Sequence, residues 1–216
     1  MTRDMIWPAY ALAAALAATE ITILALALSP KVGQDYRAFY IDRTTTCLNR
    51  ETAGSYLVGQ TVSFRRDGGK AASNIKVCGW TGPAGDGTHS LGDTSRLRVK
   101  VENPGPLVAT IEMSAVLRAP VFRQRVVISV NGDEVDRMIL TEPTPRKFTF
   151  AVPGRAPTLE ISFDYLDGIA PNRSASNIYR RAIKLISFKL AEASQKSELT
   201  ERIYGQQTPT GPSRQN

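Results

Sequence analysis

Two patterns of apolar residues divide the chain. Residues 6–28 read IWPAYALAAALAATEITILALAL and carry one charged side chain, Glu20. A helix needs roughly 20 mostly apolar residues to cross the hydrocarbon core of a bilayer, so this stretch predicts a transmembrane anchor. Beyond residue 40 the apolar residues fall into short β-prone runs separated by turn signals, the spacing of an all-β domain. The runs predict strands over 55–58, 61–65, 75–80, 96–102, 108–117, 125–131, 147–152, 158–165 and 183–190. Val126, Ile128 and Val130 share one face by period two, as Phe148 and Phe150 do against Thr149 and Ala151, and such a face has to be covered by a second sheet.

Turn chemistry agrees. Asp67-Gly68-Gly69, Asn103-Pro104-Gly105-Pro106 and Asn131-Gly132-Asp133 interrupt the runs, and Asn-Gly between two strands is the strongest short-range hairpin signal. With no long helical repeat between strands, the economical architecture is a two-sheet β-sandwich, specifically a jelly roll, behind one N-terminal transmembrane helix. The expected organisation is a short N-terminal segment (1–5), the anchor (6–28), a juxtamembrane linker (29–39), the sandwich (40–193) and a polar tail (194–216). That tail ends in QQTPTGPSRQN, which has too little apolar surface to offset its ordering entropy.

The apolar helix carries its own signals. A carboxylate within a bilayer usually faces protein or a polar cavity, and Ala9 with Ala13, like Ala14 with Ala18, gives the small-residue spacing that lets helices approach. Glu20, Ala9 and Ala13 are therefore expected contacts for another integral membrane protein, against the alternative of a lone helix rich in alanine. A cleaved signal peptide competes with the anchor, because Ala25 and Ala27 occupy small-residue positions, but its apolar region would be too long. Lys31, Arg37 and Arg43 after the helix outnumber Arg3 before it, which by the positive-inside rule places the domain in the cytoplasm. Long domains, however, translocate largely regardless of charge. Cys47 and Cys78 suit a disulfide in an oxidising compartment, with two buried thiols as the alternative. The expectation adopted is a single-pass protein of a bacterial inner membrane with its domain in the periplasm.

Charge and composition narrow the chemistry. The 216 residues include 27 Lys and Arg against 20 Asp and Glu, a net +7, with one histidine and two cysteines. The basic residues are dispersed without aromatic interleaving, so nucleic acid is not an expected partner. So few His and Cys residues argue against a metal centre, and no motif calls for a cofactor. The densest set of polar and aromatic groups is VCGWTGPAGDGTHSLGD at 77–93, an expected irregular loop. Trp80 could stack on a sugar ring while Asp86 and His89 orient its hydroxyls, or it could fill the core at a strand end. Asp86, His89 and Ser90 also suggest a hydrolase, but three neighbours on one loop do not make a triad and no G-x-S-x-G elbow is present. The paired Asp164 and Asp167 serve more simply as turn caps than as a glycosidase pair. No catalytic residue is assigned, and the expected protein is not an enzyme.

The order FYIDRTTTCLN, SYLVGQTVSF, GW, GDGTHSLGD, VNGDEV and AIKLISFKL resembles the jelly-roll, carbohydrate-binding-like domains of bacterial envelope proteins, over roughly residues 40–190. The resemblance implies a periplasmic β-sandwich linked to surface polysaccharide synthesis or recognition. Where such domains carry an acidic residue and a second tryptophan this chain has Ala84 and His89, and where they carry a Leu-Gly pair it has Arg181 and Ala182. The expected function is a membrane-anchored accessory module binding a polysaccharide or glycan. The alternative is a non-catalytic structural subunit of an envelope complex, docked through its helix in the lipid bilayer.

Overall fold

The structure is a computed structural model describing residues 6–28, 31–49, 51, 54–102, 105–170 and 177–193. The expected N-terminal segment, the polar tail and the Asn103-Pro104 half of one turn lie outside the described residues.

Helix α1 spans Ile6–Leu28 and is long and apolar enough to cross a membrane; its 23 residues extend ~34 Å at 1.5 Å per residue. Thr19 and Thr22 turn their hydroxyls onto the carbonyls of Ala15 and Ala18, each at 2.8 Å, which satisfies two polar groups within the helix itself. A short helix, α2 (Gln34–Tyr36), then runs into a π-helical turn, Arg37–Ile41.

Among the described residues ten strands follow: β1 (Thr61–Ser63), β2 (Lys76–Cys78), β3 (Thr88–His89), β4 (Thr94–Lys100), β5 (Leu107–Ala115), β6 (Gln124–Val130), β7 (Asp133–Leu140), β8 (Arg146–Val152), β9 (Thr158–Tyr165) and β10 (Ile183–Glu192). They form two antiparallel sheets, one ordered β1-β10-β5-β8 with β3 also on β10, the other β2-β4-β9-β6-β7. This is the expected β-sandwich of jelly-roll type. Between consecutive described strands the chain crosses from one sheet to the other at every step except the β6–β7 hairpin, and inward side chains from both layers meet in one core.

Period two is visible in the burial. Gln124, Val126, Ile128 and Val130 point inward from β6, and Leu159, Ile161, Phe163 and Tyr165 from β9, all buried. In β8, Phe150 is buried and Phe148 packs from the same side. The β6–β7 hairpin turns on Asn131 and Gly132 at φ +51° and +94°. Both central residues are left-handed, as the two-residue turn that matches strand twist requires.

Four elements depart from the expected pattern. β7 reads DEVDRMIL without clean alternation because it is an edge strand with one partner, β6. β3 has only two residues. Residues 55–58 contribute a single bridge, Ser55 to Lys100, with Tyr56 buried. The expected turn at 67–69 is a 3-10 turn (Arg66–Gly68) feeding helix α3 (Gly69–Ile75), which buries Ala72 and Ile75 against the core.

Leu97 on β4 is fully buried within this core. Leu97→Ala is expected to lower the free energy of unfolding by about 2 to 5 kcal/mol, measured by chemical denaturation, whereas Thr149→Ala on the outer face of β8 should change it by less than about 1 kcal/mol.

Candidate functional site

The segment leaving α2 folds back onto the sandwich instead of standing clear of it. Cys47 is bonded to Cys78 at the end of β2, with Cα atoms 4.7 Å apart, so the paired alternative for the two cysteines holds. Asn49 Oδ1 accepts a 2.7 Å hydrogen bond from Arg98 on β4, and the Thr46 hydroxyl donates to the Leu91 carbonyl. The strap passes so close that a Cβ on Gly92, itself at φ +92°, would lie 1.9 Å from Thr46 Oγ1. Only glycine fits there.

Between strap and sandwich lies a groove of about 360 Å³. Phe39, Tyr40, Arg43 and Thr45 form one wall; Leu91, Ile178 and Tyr179 form the other. A second recess of about 280 Å³ shares Phe39, Tyr40, Thr46 and Leu91 and extends beneath the disulfide to Trp80. The rings at the rim support one another, with Tyr36 and Phe39 centred 4.5 and 4.8 Å from Tyr40. Tyr40 and Tyr179 remain 52% and 51% exposed, so both present rings to solvent.

The three residues expected to bind ligand are not brought together. Trp80 is half-buried: its ring lies 5.6 Å from Phe163 edge-on and 6.2 Å from Phe64, and its indole N–H donates to the Arg96 carbonyl at 2.9 Å. Of the two roles expected for it, this geometry is that of a core residue: the ring closes the end of the core and its polar tip is satisfied. The supposed irregular loop is largely a hairpin, with Trp80 bridged to Ser90, Thr81 N–H donating to the His89 carbonyl at 3.0 Å and Ala84 bridged to Gly87.

Asp86 and His89 do converge, on the other sheet. His89 lies opposite Lys184 in the β3–β10 pairing, and the Lys184 ammonium donates to the Asp86 carboxylate. That hydrogen bond holds the Asp86 carboxyl below its ordinary range. Burial, then repulsion from Arg181 and Lys184, lowers the His89 pKa despite the opposing attraction of Asp86. Ser90 is fully buried and its Oγ accepts from the Ala182 and Ile183 N–H groups at 2.8 and 3.1 Å, so Asp86, His89 and Ser90 do not align as a hydrolytic relay. Asp164 accepts from Thr94, and Asp167 takes both ends of the Arg125 guanidinium at 2.7 Å. Each carboxylate is thus occupied in holding strands.

The groove escaped the sequence reading because its walls come from three separate stretches, with Leu91 about 50 and Tyr179 more than 130 residues from residues 39–45. The available signal was the aromatic pair Phe39-Tyr40 followed by a cysteine, inside and beside a segment read as linker. Glu20, Ala9 and Ala13 are exposed on α1, and no metal-ligating cluster occurs among the described residues.

No known protein family and no curated protein matches the sequence. Among solved structures, the fold is similar to the CBM36-1 domain of a multidomain xylanase from the hindgut metagenome of Trinervitermes trinervoides, at 11% identity over 62% of this chain and 98% of that one, with a TM-score of 0.38. It is similar to carbohydrate-binding module CBM36 in complex with calcium and xylotriose, at 12% identity over 61% and 99%, TM-score 0.36. A family 35 carbohydrate binding module from an environmental isolate matches at 12% identity over 48% and 72%, TM-score 0.33. The assignment to a sandwich rests on the strand order and registers themselves.

Three outcomes follow from this geometry. With the cysteines 31 positions apart in sequence, reduction is expected to cost about 3 to 4 kcal/mol through the larger entropy of the unfolded chain, read from denaturation with and without reductant. Trp80→Ala should destabilise by about 2 to 4 kcal/mol. His89, the one histidine, should titrate by NMR below the ordinary value of ~6.5. Because the unfolded ring then binds protons more readily than the folded one, stability declines as pH falls through ~6.5 toward the lower folded pKa, and His89→Gln removes that slope.

Proposed function

We propose that the chain is a non-catalytic, membrane-anchored accessory module of the bacterial envelope that holds a glycan between the strap and the sandwich. The single observation that carries this reading is the groove of about 360 Å³, within the ~300 to 1,000 Å³ of typical ligand sites. Tyr40 and Tyr179 offer apolar ring faces with polar tips, the chemistry that suits a sugar's C–H face and hydroxyls together. The Thr45 and Thr46 hydroxyls and the Arg43 guanidinium add donors and acceptors along the same groove.

Two further facts support the placement. The Cys47–Cys78 bond belongs to oxidising compartments such as the periplasm. The apolar helix α1 would hold the module to a membrane there, with the groove beginning eleven residues after Leu28. A role in surface polysaccharide synthesis or recognition fits that position. The engaged state of Asp86, Ser90, Asp164 and Asp167 supports binding over catalysis.

A second reading, a structural subunit that docks through its helix, is favoured by Glu20. It stands exposed near the middle of α1, on a helix that also exposes Ala9 and Ala13. A carboxylate at that depth is best explained by a protein neighbour.

The full chain in detergent is expected to bind bacterial surface polysaccharide on a glycan array. Tyr40→Ala and Tyr179→Ala should each weaken binding about fivefold, the equivalent of ~1 kcal/mol, with the thermal midpoint unchanged because both rings are half exposed. Binding that is absent, or indifferent to both substitutions, would sink the groove reading. Recovery of a stoichiometric membrane partner that Glu20→Leu releases would favour the second.

A further inference from the structure

The helical turn Arg37–Ile41 ends with the Thr44 N–H donating back to the Ala38 carbonyl at 2.9 Å, and Arg43 sits between them at φ +50°. A backward hydrogen bond that closes a helix C-terminus in this way commonly has the residue before its donor in the left-handed region, where glycine is the usual occupant because it has no Cβ to clash. Arginine stands there instead. A long charged side chain held at a position that disfavours it on backbone grounds points to work done by the side chain.

That side chain lines the groove, and it is exposed. The neighbouring cations are committed: Arg37 lies 3.4 Å from Asp42, and Arg180 lies 3.9 Å from Asp93. Arg43 has no ion pair among the described residues. Among the described residues no carboxylate lines the groove to answer it. The groove therefore combines the rings of Tyr40 and Tyr179 with one uncompensated guanidinium, whose planar fork pairs with a carboxylate through two parallel hydrogen bonds.

We infer that the ligand of this groove is an acidic polysaccharide, with Arg43 taking a carboxylate while Tyr40 and Tyr179 bear the adjoining sugar faces. The inference rests on the glycan-binding reading and adds the charge of the ligand to it.

The test is calorimetric titration of the full chain in detergent with hexagalacturonate and, separately, with neutral maltohexaose. Hexagalacturonate is expected to bind at least tenfold more tightly, and Arg43→Gln should bring the two within about twofold, chiefly by weakening hexagalacturonate. Arg155→Gln provides the control, removing the same charge from the loop before β9, at the far end of that strand from the groove. Its preference should match that of the unaltered chain. Equal affinity for both sugars would overturn the inference and leave the groove reading standing. Loss of preference in Arg155→Gln as large as in Arg43→Gln would overturn it too, assigning the effect to overall charge. Binding of neither sugar would defeat both readings.

Discussion

Everything in this molecule depends on the apposition of two sheets whose inner side chains alternate with outer ones. Phe163, Leu97 and Ile128 from one layer and Ile111, Phe188 and Leu185 from the other are wholly buried. A one-residue slip in any of these strands would carry its apolar set to solvent, so burial holds the register. Register in turn decides which polar groups meet on the outside. Lys184 faces His89 because Leu185 must face inward, and Arg98 reaches Asn49 because Leu97 and Val99 are committed to the core.

A second constraint is laid over the first. The disulfide, the Thr46–Leu91 hydrogen bond and the Arg98–Asn49 hydrogen bond fasten the strap to the end of the sandwich near β2. A chain emerging from an isolated apolar helix would otherwise be a tether. Here it supplies a wall, and the groove exists only while strap and sandwich stay together. The groove's wall is thereby tied to the redox state of the Cys47–Cys78 bond, which oxidising conditions favour.

The loop at 77–93 shows how the same residues serve stability. Trp80 seals the core end, Ser90 receives two N–H groups from the start of β10, and Thr88 donates to the Phe64 carbonyl. Glycine at 79, with φ +74° and a Cβ position 2.1 Å from the Thr94 carbonyl, lets this hairpin approach β4. Polar and aromatic groups that look like a binding loop in isolation are largely consumed in joining the two sheets. The rings left facing solvent are those of Tyr40 and Tyr179, which the core does not need.

Much of the architecture was legible from local pattern. The apolar run at 6–28, the alternation in β6, β8 and β9, and the Asn131-Gly132 turn each express a period or a backbone preference contained within a few residues, and such signals survive without knowledge of the rest of the chain. β7 was hidden because an edge strand alternates weakly, and α3 because its glycine-rich start mimics a turn. Trp80's choice between core and ligand, the landing of residues 39–49 on the sandwich, and the meeting of Arg43 with Tyr179 belong to tertiary structure alone. Each depends on contacts between segments far apart in sequence, and no periodicity encodes which distant surface a side chain will meet.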